Sequence, residues 1–240
     1  MEDSQVESKK DLLSRYISKI RKEGRLFNLG KSYLRDVCTN FLLAGRDTTS
    51  QLLTWLFCEL SRNPDKEEKL LREIDTLKGE MPDFESIKSL KYLKSVINET
   101  LRMHPPVPFD PKVAVEEDVL PSGFKVEKGW LVFYSPFTMG RNEKYWEKPD
   151  EFVPERWEEP NKFNGGKQIN PSQFAVFQLG PRRCLGEKAA LLEATIIIIL
   201  ISQKYKLRLK KGHPVQYLSG VTVLAKYGML MTVEKRDLFY

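Results

Sequence analysis

A proline-free run from Lys31 to Arg62, closed at once by Asn63-Pro64, constrains the fold of this chain more than any other feature. Its mostly apolar pattern has helical spacing and predicts one long helix. Asn63-Pro64 ends that helix and starts the next, because proline suits the first helical position and breaks a helix interior. The next helix is predicted over Pro64–Leu77, with Leu70, Leu71, Ile74 and Leu77 on one face. Helical spacing of Leu12, Leu13, Tyr16, Ile17 and Ile20 predicts an earlier helix over Asp11–Arg21, and another runs over Tyr92–Met103 until Pro105-Pro106 stops it. From Lys112 to Pro136 the texture turns to short β-branched and aromatic runs, with turns at Pro121-Ser122-Gly123 and Lys128-Gly129. Residues 141–183 show little periodicity, and an irregular stretch of that length in a compact fold implies a function. A helix over Glu187–Gln203 and strand-like runs to Val233 follow. The pattern is a helix-rich first half joined to a smaller strand-and-loop half, without internal repeats.

Composition excludes several classes. The chain has 240 residues and a net charge of +6, but its 39 basic residues are interleaved with 33 acidic ones. No run of consecutive Lys or Arg exceeds two residues. That dilution argues against nucleic acid as a partner and fits solvated helix faces or a mildly basic docking face for an acidic partner. Cys38, Cys58 and Cys184 have no paired spacing, so a disulfide framework is not expected and a reducing compartment is the default. His104 and His213 lie far apart without companion ligands, which discounts a zinc site. The polar stretch Met1–Lys10 is neither a signal peptide nor a membrane anchor, and the apolar run Ala194–Ile201 is too short to span a bilayer.

Three segments carry chemistry. In Phe177-Gln-Leu-Gly-Pro-Arg-Arg-Cys184-Leu-Gly186, a cysteine stands just before the predicted last long helix. A helix N-terminus, the neighbouring Arg182 and Arg183, and glycines that let backbone amides turn toward the sulfur favour the thiolate, the form that ligates metal. Taken alone, the cysteine reads first as a buried residue at a tight turn. In the long helix, Ala44-Gly45-Arg46-Asp47-Thr48-Thr49 places poor helix formers where the apolar pattern is interrupted. A local bend with threonine back-bonding is one explanation; a functional segment is the other. Glu99 and Arg102 stand one helical turn apart, as a surface ion pair would.

The cysteine segment resembles the haem-binding signature of the cytochrome P450 family, F-x-x-G-x-R-x-C-x-G, and fills every specified position. Glu99-Thr-Leu-Arg102 and Pro154-Glu155-Arg156-Trp157 resemble that family's E-x-x-R helix and its later Pro-Glu-Arg segment. The resemblance implies a mainly α fold with a small β region (α+β), the C-terminal half of the cytochrome P450 fold. It would occupy residues 1–240 as one partial domain: helix-rich over 1–106, strand-and-loop over 107–186 with the haem loop at 177–186, a last long helix over 187–203 and C-terminal strands over 204–235.

The implied roles follow residue by residue. Cys184 is the axial ligand of haem b, Arg182 reaches a propionate, and Phe177 packs beside the thiolate within the loop bounded by Gly180 and Gly186. Thr48 hydrogen-bonds the oxygen ligand of the iron, Asp47 relays protons, Gly45 opens space for dioxygen, and Ala44 stands where some relatives carry a glutamate esterified to haem, so no covalent link is expected. Lys112 is either a second propionate contact or an ordinary strand lysine. Val107, Pro108, Phe109 and Leu218–Val221 would lie on the pocket wall or in the core. Glu99, Arg102 and Arg156 would close a buried structural network. Cys38 and Cys58 are expected to be packing residues.

The implied activity is O2-dependent hydroxylation of an apolar substrate with electrons from NADPH through a reductase. Leu43–Thr49, Ala114–Gly123 and Tyr134–Arg141 resemble plant and fungal long-chain fatty-acid and alkane hydroxylases, which implies a fatty acid hydroxylated near its terminal methyl. Two alternatives are a P450-fold isomerase or dehydratase of lipid hydroperoxides, and a truncated product without activity. Members of the family are longer than this chain. The resemblance therefore places the membrane anchor, the first sheet strands and a propionate-binding helix outside it, with the full-length protein on the cytosolic face of the endoplasmic reticulum.

Overall fold

The computed structural model describes residues 11–22, 31–159, 162–163 and 168–236. Its contacts divide the chain into two units, residues 1–47 and 48–240.

The first unit holds α1 (Leu12–Lys22) and the opening half of α2 (Lys31–Arg62). Asp11 starts α1, its carboxylate accepting from the Ser14 backbone N–H at 2.9 Å and from the Ser14 hydroxyl at 2.8 Å. A carboxylate there satisfies first-turn donors that have no partner inside the helix. The hydroxyls of Tyr16 and Tyr33 meet at 3.1 Å, joining α1 to α2 within this unit. No break interrupts α2 at Gly45–Ser50. Unfavourable propensities of about 0.5–1 kcal/mol per residue do not break a helix whose second half is anchored by packing.

In the second unit that half of α2 buries Leu52, Trp55, Leu56, Cys58 and Leu60. The core is completed by Leu70 and Ile74 of α3 (Pro64–Asp75), Leu93, Val96 and Ile97 of α5 (Lys91–Met103), and Ala194, Ile198 and Ile199 of α7 (Glu187–Ser202). Pro64 opens α3 as expected, while Leu77 falls in the turn after it. A short helix, α4 (Phe84–Ser89), has no periodic signature; Asp83 and Ser86 hold it through a reciprocal capping box. Glu73 of α3 caps α5 from a distance, accepting from Tyr92 N and Leu93 N at 2.8 Å each.

Among the described residues strands pair as four antiparallel two-stranded ladders: β1 (Asp110–Val113) with β4 (Leu131–Tyr134), β2 (Asp118–Val119) with β3 (Lys125–Val126), β5 (Tyr205–Leu209) with β8 (Met231–Lys235), and β6 (Tyr217–Ser219) with β7 (Val223–Ala225). Gly123 and Gly129 take φ of 84° and 87°, so the two turns need residues that tolerate the left-handed region. A four-residue helix, α6 (Pro136–Met139), follows β4. From there to α7 the described residues are largely irregular, with 3₁₀ turns at Pro154–Trp157, Pro171–Gln173 and Gly180–Arg182. The architecture is the expected mixture of dominant helix and small antiparallel sheets. Among the described residues no helix is long and apolar enough to cross a membrane.

Candidate haem-thiolate site

Irregular backbone can hold a site only if something fixes it, and here Glu99 does so. Its Oε1 accepts from Arg102 Nη2 at 2.8 Å, Val153 N at 2.9 Å and Arg156 Nε at 3.0 Å. Its Oε2 accepts from Arg102 Nε and Trp157 Nε1, both at 2.9 Å. Glu99, Arg102 and Arg156 side chains are fully buried. This is not the exposed i,i+3 pair that spacing alone allows. Further guanidinium protons bind carbonyls: Arg102 donates to Gly140, Pro149 and Glu151, and Arg156 to Glu147 and Lys148. Glu99 is shared by the two guanidinium groups and carbonyls take up further N–H donors, which offsets the burial cost and stitches residues 140–157 to α5. Trp157 and Gly140 were not expected in this network. A Cβ on Gly140 would overlap the Arg102 carbonyl oxygen.

The cysteine loop follows the stitched segment. Gln178 and Gly180 both adopt left-handed backbone, φ 59° and 65°. The loop closes with Cys184 N donating to Phe177 O at 2.8 Å. Phe177 is half-buried against the core, Gly180 and Arg182 are exposed, and the Cys184 thiol is exposed. Gly186 borders the sulfur: a Cβ there would lie 3.9 Å from Sγ, an ordinary contact. It also occupies the N-cap of α7 with no side-chain cap, which leaves first-turn amides without a side-chain acceptor. Arg183 is held by Glu187 through bonds of 2.7 and 2.8 Å, whereas Arg182 makes no hydrogen bond or ion pair among the described residues. A cleft of about 460 Å³ lies against the loop, lined by Trp157, Phe174, Phe177, Gln178, Leu179 and Arg183, among others.

The other expected residues fall in two places. Lys112, on β1, reaches both Asp110 carboxylate oxygens at 2.8 and 2.7 Å and Gln178 Oε1 at 3.3 Å. Asp110 and Gln178 were not singled out by sequence, although strand alternation puts Asp110 on the face of Lys112. Ala44, Gly45, Asp47 and Thr48 are successive positions of α2. Ala44 and Gly45 are exposed, and Asp47 and Thr48 half-exposed. A hydrogen bond from Arg46 Nε, 2.7 Å long, holds the Asp47 carboxyl below the usual carboxylate range. Thr49, the next residue, is buried with its hydroxyl unpaired among the described residues. Phe109, Leu218 and Val221 expose apolar surface, while Pro108 is buried. Cys58 is buried within α2, and burial pushes its thiol up to about 11; Cys38 is half-buried.

His104 packs among side chains of α2 and β6. It is stacked on Trp55 at 4.6 Å, with Nε2 3.0 Å from Glu59 Oε1 and Nδ1 2.8 Å from the Tyr217 hydroxyl. Burial depresses its pKa and keeps the ring neutral. The bonds then assign the proton to Nε2, which donates to Glu59, while Nδ1 accepts from Tyr217. Arg141 Nη2 donates to the same hydroxyl at 3.0 Å, so Tyr217 both donates and accepts.

A family model for cytochrome P450 matches residues 1–231. The chain belongs to the cytochrome P450 family. It is 38% identical to Cytochrome P450 94A2 of Vicia sativa over 234 residues, covering 95% of this chain and 44% of that protein. Alkane hydroxylase MAH1 of Arabidopsis thaliana is 36% identical over 230 residues, covering 95% of this chain and 45% of the relative. Cytochrome P450 704B1 of the same plant is 35% identical, with 95% and 48% covered. This P450 chain thus spans under half the length of the curated relatives it matches.

The residues present fit the haem of that family. An exposed thiol beside uncapped helix amides is a soft ligand set for iron, and Arg182 offers an unengaged guanidinium that suits a carboxylate.

Proposed function

We propose that this chain is the haem-ligating part of a membrane-associated monooxygenase that hydroxylates a long-chain fatty acid or alkane near its terminal methyl, with O2 and electrons from NADPH through a reductase. The observation that carries the proposal is the exposed Cys184 thiol at the end of a loop that fills the whole family signature. Bound haem supplies dioxygen activation and transfer of one oxygen atom to an unactivated C–H bond.

The chain's own residues have distinct tasks. Cys184 would hold the haem iron as a thiolate, a ligand that suits the group to dioxygen activation. Phe177, half-buried against the core, anchors the start of the loop, and Arg182 would pair with a propionate. On α2, Asp47 and Thr48 hold and pass protons: the Thr48 hydroxyl donates, and Asp47 recharges it from solvent. Half exposure suits Asp47 to this, because a relay must reach water at one end. Gly45 leaves room beside Thr48, with nothing within 4 Å of where a Cβ would stand. Exposed Phe109, Leu218 and Val221 offer apolar surface to an alkyl chain. Alkane hydroxylase MAH1, matched along 95% of this chain, supports an alkyl substrate. The endoplasmic reticulum membrane, where such a substrate dissolves, is the proposed location.

Turnover tests the proposal. Full-length protein with haem, reductase and NADPH should convert a long-chain fatty acid to its terminally hydroxylated product, and Asp47→Asn should slow product formation. Turnover of a fatty-acid hydroperoxide without NADPH, and none of the fatty acid with it, would replace this proposal by an isomerase or dehydratase.

A further inference from the structure

We infer that Gln178 is a positioning residue for the cysteine loop, acting through a polar strap to Asp110 and Lys112 of β1. Gln178 is a non-glycine residue in left-handed backbone, φ 59°, two positions before Gly180. That conformation costs of order 1 kcal/mol or more for a residue with a Cβ and persists only where surrounding contacts impose it. The contacts here are its own side-chain amide bonds. Nε2 donates to Asp110 Oδ1 at 3.1 Å, and Oε1 accepts from Lys112 Nζ at 3.3 Å. Lys112 in turn donates to both Asp110 oxygens, so each of the three groups contacts the other two.

Asp110 is a sound anchor. It is buried, opens β1, and pairs with Tyr134 of β4. Burial and the Asp110 carboxylate together push the Tyr134 hydroxyl up to about 12, so a neutral phenol backs the strap at neutral pH. On the loop side, Gln178 directly follows Phe177, whose carbonyl accepts from Cys184 N at 2.8 Å. The strap therefore fixes one end of the hydrogen bond that closes the loop around the cysteine. Lys112 belongs to this strap, which gives it a task at the loop whether or not it touches a propionate.

Strap and backbone strain separate by substitution. Gln178→Gly keeps the left-handed backbone at no steric cost and removes only the side chain. Asp110→Asn keeps an acceptor for Gln178 but loses the charge that Lys112 needs. The first measurement is hydrogen exchange of the Cys184 amide in the full chain. Gln178→Gly should speed it about tenfold, and Asp110→Asn by less, with melting temperature little changed. An unchanged Cys184 amide in Gln178→Gly would overturn the strap.

The bearing on cofactor rests on the proposed haem-thiolate function, so a second readout is spectral. Haem-loaded Gln178→Gly should show a smaller fraction of thiolate-type Soret absorption in its reduced CO complex than the parent chain. An equal fraction would overturn the positioning role. Absence of the thiolate band from the parent chain would instead sink the functional proposal, while the exchange result would still decide the strap.

Discussion

Glu99 accepts five hydrogen bonds, from two arginines, a backbone amide and an indole, with no exposed surface left. Replacing its carboxylate by an amide leaves two buried guanidinium groups short of countercharge. Glu99→Gln should therefore cost about 3–5 kcal/mol, the loss typical of a broken buried pair, measured by urea unfolding at neutral pH. A loss under about 1 kcal/mol would mean that the pair behaves as a surface one. His104 makes a different prediction. Burial lowers its pKa, so on acidification the unfolded chain takes up the proton before the folded one does, and stability falls as pH drops below 6.5. Burial opposes a low pKa at Glu59, but the His104 bond and the cations of Arg62 and Arg141 prevail, so a further loss sets in below 4.5. The urea midpoint of the chain should decline from about pH 7 to pH 5, and His104→Gln should flatten that decline. A midpoint independent of pH in this interval would contradict the neutral buried imidazole. Sequence placed Cys184, Glu99 and Arg102 because each sits in a dense local pattern. It did not reveal that Glu59, His104 and Tyr217 meet, because no local pattern connects residues on α2, after α5 and on β6.

At the scale of elements, helix boundaries were legible where proline or glycine punctuates the chain. Asn63-Pro64 divided α2 from α3, Pro105-Pro106 ended α5, and Gly123 and Gly129 marked the turns between strands. The polar interruption in α2 left a bend or a functional segment open; the helix is continuous through it, since a few unfavourable residues do not outweigh a well-packed half. The short α4 was illegible because its capping box uses Ser86 in place of the usual Glu or Gln. Residues 141–157 gave no periodic signal because Glu99 and Arg102 of α5 hold them, not a ladder of their own. The approach of Gly140 to Arg102 shows how tight that arrangement is. Gly140→Ala should destabilise the chain by about 1–3 kcal/mol through overpacking, and should speed hydrogen exchange at Val153 N, which donates to Glu99. A stable variant with unchanged exchange there would show that the segment holds itself.

At the scale of the molecule, the chain divides into units of residues 1–47 and 48–240. The second unit carries the core, the Glu99 network and the cysteine loop. Family membership rests on the match over residues 1–231, and the haem-thiolate account adds the exposed thiol, the uncapped start of α7 and the unengaged Arg182. What sequence could not supply was the support behind the loop: the Asp110–Lys112–Gln178 strap joins residues distant along the chain. The most direct test of the central claim is the absorption spectrum of the haem-loaded, reduced chain under CO. The account predicts the red-shifted Soret band of thiolate-ligated haem, lost in Cys184→Ser and retained in Cys58→Ser. A normal thiolate band in Cys184→Ser, or haem uptake by the parent chain with no such band, would contradict it.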